Sequence, residues 1–100
     1  MATYFIVLRR SGPQWDPDLP MEEQSDWPEH AAFMDGLVDS GFVLLGGPLA
    51  GELRVVLAVE AASDDEVRAT LARDPWSDSH LVIDRVEPWT IRLDGRRRSE

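Results

Sequence analysis

The chain contains no cysteine, no lysine and no asparagine among its 100 residues. Without cysteine it can form no disulfide, thiolate zinc site, iron–sulfur cluster or cysteine nucleophile. Without lysine there is no amine for a Schiff base, which removes lysine-dependent pyridoxal phosphate chemistry. All ten basic residues are arginine. Without asparagine there is no N-glycosylation acceptor. Positive charge is scarce as well: ten basic against nineteen acidic residues give a formal net charge of −9. Nucleic acid and anionic membrane surfaces both need a positive footprint, so neither is an expected partner. No apolar run is long enough to span a bilayer, and Met1-Ala2-Thr3-Tyr4 lacks the basic start of a signal peptide. A soluble cytoplasmic protein is the expectation.

A chain of this length makes one domain, burying roughly 65% of its unfolded surface around a single core. The expected domain covers residues 1–94, and residues 95–100, with their arginine run, read as a disordered, solvated tail. Thr3-Tyr4-Phe5-Ile6-Val7-Leu8-Arg9 is rich in aromatic and β-branched residues and predicts a strand. Residues 11–20 carry three prolines and little periodicity, a loop longer than most connections. Asp26 then opens a helix, with Pro28 in its first turn and Glu29 three residues on. At 100° per residue, Trp27, His30, Ala31, Phe33, Met34, Leu37 and Val38 share one face of it, and Gly41 ends it.

Two further strands follow, Phe42-Val43-Leu44-Leu45 and residues 53–59, joined by a glycine-rich turn at 46–51. That turn connects strand to strand, whereas phosphate cradles lead from a strand into a helix. Ser63-Asp64-Asp65-Glu66 is a capping box for a second helix, expected to stop at Asp74-Pro75. A fourth strand runs over residues 81–87 and, past Pro88, continues through Trp89-Thr90-Ile91-Arg92-Leu93. The order β-α-β-β-α-β predicts a ferredoxin-like α+β fold, a four-stranded antiparallel sheet with two helices on one face. Both alternating sets of side chains in residues 4–8 and 55–59 are largely apolar, so the second sheet face also needs a cover. A second copy of the chain, in a homodimer, supplies one.

His30 interrupts an apolar helix face, as a general acid or base or as a core histidine satisfied by a backbone carbonyl. Asp74 stands before a proline at a helix end, where a carboxylate also serves as a local turn acceptor. His80 follows closely and reads either as a site residue or as an exposed loop residue. No Gly-x-Ser-x-Gly elbow or His-Glu-x-x-His motif is present. A two-histidine, one-carboxylate metal site of His30, His80 and Asp74 would require the fold to bring all three together, and no spacing signature supports it. Trp15, Trp27, Phe33 and Trp76 would suit the apolar wall of a pocket for a planar small molecule.

The succession Trp27-Pro28-Glu29-His30-Ala31-Ala32-Phe33-Met34-Asp35, Gly41, Gly46-Gly47-Pro48, Asp74-Pro75-Trp76 and Glu87-Pro88-Trp89 resembles the YCII-related family of dimeric α+β barrels. The resemblance runs from Tyr4 to about Leu93. It implies a homodimer with sheets packed face to face, and a pocket between helices and sheet in which His30 and Asp74 form a catalytic dyad. By the same resemblance, the activity is that of a cofactor-free isomerase or a lyase such as a dehydrochlorinase, with no metal and no organic cofactor. A non-catalytic small-molecule binding module and a cofactor-free monooxygenase are the alternatives. The chain departs from the family pattern at His80, where many members carry glycine, and in the long loop bearing Trp15.

Overall fold

The computed structural model describes residues 1–50 and 53–96. Gly51 of the expected turn and residues 97–100 of the expected tail therefore lie outside the described residues. The elements in order are β1 (Ala2–Arg9), α1 (Trp27–Asp39), β2 (Val43–Pro48), β3 (Arg54–Ala61), α2 (Asp64–Leu71) and β4 (Val82–Pro88). The strands form one sheet in the order β2-β3-β1-β4, every neighbour antiparallel. Each helix thus crosses between two strands that hold a third between them, which is the ferredoxin-like arrangement.

Strand periodicity puts Tyr4, Ile6 and Leu8 of β1 and Leu57, Val59 and Ala61 of β3 on one face. They make the core with Val43 of β2, Leu37 of α1 and Val67 and Leu71 of α2. Ser63 caps α2 by accepting from the Glu66 backbone N–H at 3.1 Å, and the Glu66 carboxylate reaches back to the Ala62 N–H at 2.6 Å. The helix stops at Leu71, three residues short of the expected Asp74-Pro75. Its last turn tightens instead, with Arg73 and Asp74 N–H groups donating to Thr70 and Leu71 carbonyls.

Several local expectations are corrected. Asp26 adopts the left-handed conformation (φ 61°) and makes no side-chain cap on α1. Its contribution is its carbonyl, which accepts from the His30 N–H at 3.0 Å. Val38, expected on the buried stripe, is 54% exposed because it borders an open cleft. Gly46, Gly47 and Pro48 are strand residues paired with Leu57, Val56 and Val55. β2 is an edge strand, where a proline removes no hydrogen bond that the sheet needs. The strand expected through residues 89–93 ends at Pro88; Trp89 makes one last bond to the Thr3 carbonyl. Beyond it the chain leaves the sheet edge, and the Trp89 ring stands edge-on to Phe5 at 5.4 Å. Residues 89–96 then border the sheet face opposite the helices beside Thr3, Leu44 and Ala58.

The long loop is held by specific bonds. A one-turn 3-10 helix at Met21–Glu23 lies within it. The buried Gln24 amide donates to the carbonyls of Asp16 and Leu19 and accepts from the Asp16 N–H. At the loop's other end Gly12 and Gln14 donate to the His80 and Ser79 carbonyls. A Cβ on Gly12 would lie 2.5 Å from Ser79 backbone atoms, so only glycine permits this approach. The loop is thereby fastened to the segment that carries His80.

Candidate active site

A cleft of about 220 Å³ opens between α1 and the sheet. Trp27, His30, Met34 and Val38 line it from α1, Leu8, Val43, Val55 and Leu57 from the strands, and Trp76 and Leu81 from the segment after α2. Helical phase explains the α1 side: His30, Met34 and Val38 are four residues apart and stack along one stripe. Trp27 lies one turn before His30, its ring 5.7 Å from the imidazole.

His30 and Asp74, 44 residues apart, meet: His30 Nδ1 lies 2.8 Å from Asp74 Oδ1 and 2.9 Å from Oδ2. Their side chains are only 10% and 6% exposed. An ionised carboxylate can only accept, so Nδ1 carries the proton. That leaves a lone pair on Nε2, which makes no hydrogen bond to a described residue and retains solvent contact at the cleft. Asp74 also performs the local task open to it, since Oδ1 accepts the Trp76 backbone N–H at 2.9 Å. The turn acceptor and the imidazole partner are one carboxylate.

Trp76 joins the parts of the site. Its ring stacks on the His30 imidazole at 4.0 Å and 7° and on His80 at 4.8 Å and 17°. Its indole N–H donates to the Ser25 carbonyl at 2.8 Å, just before α1 begins. The tryptophan therefore fixes the plane of the His30 ring while Asp74 fixes its rotation.

The other expected site residues divide. Trp27 and Trp76 border the cleft. Trp15 does not line it; it packs edge-on against Trp76 at 5.7 Å and lies beneath the Arg10 guanidinium. Phe33 packs against the core instead, because it sits three residues after His30 and turns off the cleft stripe. His80 is no exposed loop residue: it is 0% exposed, with Ser79 Oγ 2.8 Å from Nδ1 and Ser25 Oγ 2.9 Å from Nε2. Both of its nitrogens are thus occupied, as is Nδ1 of His30, and the three candidate metal ligands do not converge. Among the described residues no group of three or more such side chains could hold a metal ion.

Arg10 and Met21 line the cleft but were not singled out from the sequence. Arg10 left a readable signal, since it continues the inward row of Tyr4, Ile6 and Leu8 with a charge. Ser25, which holds His80, left none. No family model matches the chain, and no curated protein matches it.

Burial lowers the pKa of His80 below 6.5, with a smaller contribution in the same direction from His30, while the carboxylates of Asp26 and Asp74 oppose the shift. A folded-state pKa below the unfolded one means that the unfolded chain binds the proton first as pH falls. Stability from this group is present above about pH 6.5 and is lost as pH falls through 6.5 toward the lower folded value. Urea denaturation between pH 7 and 5 is expected to show declining stability in the native chain and a shallower decline in His80→Gln. Equal slopes would contradict this placement of His80.

Proposed function

We propose that the protein is a cofactor-independent small-molecule enzyme of the isomerase or lyase type, with His30 as its acid–base residue and Asp74 as the partner that orients and charges it. One observation carries this reading. His30 Nδ1 is held by both Asp74 oxygens, while Nε2 borders an apolar cleft with no hydrogen-bond partner among the described residues. A structural histidine has no need to leave one nitrogen open.

In that geometry Nε2 takes a proton from a carbon next to a carbonyl, and the C–H electron pair moves into the enolate. The imidazolium so formed is stabilised by the Asp74 carboxylate. Returning the proton to another carbon completes an isomerisation. Expelling a leaving group such as chloride from the neighbouring carbon completes an elimination. Neither route requires a metal or an organic cofactor. Resemblance to the YCII-related family supports the same reading, with the match carried by His30 and Asp74 at the family's dyad positions. A binding module without catalysis would use the same cleft but not the free Nε2.

The test is solvent deuterium incorporation into cyclic enones, unsaturated lactones and chlorinated hydroquinones, followed by NMR in D2O. Exchange or turnover is expected with the native chain and should fall by about 10²–10⁴-fold in His30→Gln. Undiminished exchange in that variant would contradict the role of His30. A ligand bound in the cleft with no exchange from any probe would favour the binding module.

The proposal includes a homodimer formed through the sheet face opposite the helices. Its interior residues Phe5, Val7, Val56 and Ala58 are apolar on the side away from the core, and residues 89–96 border only part of that face. Leu45 and Leu93 remain 61% and 81% exposed there. Sedimentation equilibrium at micromolar concentration is expected to give twice the 11.3 kDa chain mass. A clean species at the chain mass would contradict it.

A further inference from the structure

Arg10 is the unexplained group at the cleft. It lies one position beyond β1, on the inward row of that strand, with its backbone N–H bonded to the Leu53 carbonyl at 2.8 Å. Its guanidinium sits over Trp15, Cζ 5.0 Å from the ring centroid. Nε is buried and has no hydrogen-bond partner, and it is the one such side-chain atom among the described residues. Among the described residues Nη2 reaches only the Met21 sulfur at 3.7 Å. Among the described residues Arg10 is the only arginine lining the cleft, and it forms no ion pair with a described carboxylate.

A buried Nε–H left without an acceptor is costly. A thioether sulfur is a weak acceptor, and cation–π contact with Trp15 satisfies the face of the group but none of its N–H donors. Nε–H and one Nη2–H point along the same edge, the edge that a carboxylate takes with two parallel bonds. Met21 meets Nη2 from a single 3-10 turn, and its unbranched side chain can swing aside at little cost.

We propose that Arg10 is the anion-binding residue of the cleft, and that the ligand is a small planar carboxylate. Its carboxylate takes the Nε–H and an Nη2–H, displacing the Met21 sulfur from Nη2, and its apolar body lies along Trp27 and Met34 toward His30. In a chain of net charge −9 this one guanidinium selects the anion, because the wider surface repels it. The proposal deepens the acid–base reading, on which the orientation toward His30 rests. Recognition of the carboxylate does not depend on it.

The test is a titration of the full chain with benzoate and with its uncharged counterpart benzamide. The Arg10 Nε–H and the Trp27 and Trp76 indole N–H signals are followed by NMR. Benzoate is expected to shift the Arg10 Nε–H saturably and to bind at least about tenfold more tightly than benzamide, as a charged hydrogen-bonded pair requires. In Arg10→Gln the two probes should bind alike, while in His30→Gln the preference for benzoate should persist. Equal binding of the two probes by the native chain would overturn the proposal without recourse to any variant. So would benzoate shifts confined to surface arginines such as Arg9 and Arg73. Preference for benzoate without deuterium exchange of any substrate would leave Arg10 in place and count against the acid–base reading alone.

Discussion

A carboxylate taken out of water must be matched by donors, and Asp74 is the point where this chain meets that demand. Its oxygens take the His30 Nδ1–H and the Trp76 backbone N–H. Removing one partner of a buried pair typically costs about 3–5 kcal/mol, because the other charge is left uncompensated. The turn after α2 and the first turn of α1 are therefore tied by one side chain. Trp76, positioned by that turn, then stacks on His30 and donates to Ser25, so the segment leading into α1 is tied as well. His80 completes the cluster against the other contacts of the same indole, and Gly12 lets the long loop reach it.

This arrangement separates two requirements that often conflict. The imidazole has to be rigid, and it also has to keep one nitrogen available. Rigidity comes from Asp74 and Trp76, neither of which touches Nε2 by a hydrogen bond. Availability comes from the stripe of Met34 and Val38 along α1, which borders the cleft. The apolar lining strengthens any charge interaction made within it. Arg10 at the same cleft places a fixed positive charge where the rest of the protein is acidic.

Much of this was legible in the sequence, for identifiable reasons. Period-two and period-3.6 patterns gave the strands and helices, and the element order gave the sheet topology. The phase of α1 turned His30 inward, and a proline after Asp74 placed the carboxylate at a turn. Other features depend on tertiary contacts that carry no local pattern. Asp26 has the residue type of a side-chain cap but a left-handed backbone, and its side chain makes no such bond. Gln24 reads as an ordinary loop residue until its amide is seen to hold both Asp16 and Leu19. His80 has polar neighbours in sequence and nonetheless lies fully buried, because Trp76 and Ser25 reach it from elsewhere. The end of β4 at Pro88 depends on Trp89 finding Phe5, a contact between distant parts of the chain.

The tautomer of His30 is the most direct observable. Imidazole nitrogen-15 shifts, correlated to the ring protons in the native chain near neutral pH, report which nitrogen carries the proton. A protonated Nδ1 beside an unprotonated Nε2 is the expected result, since Asp74 can only accept. A proton resident on Nε2, with Nδ1 bare against the carboxylate, would contradict the use of His30 as a base facing the cleft.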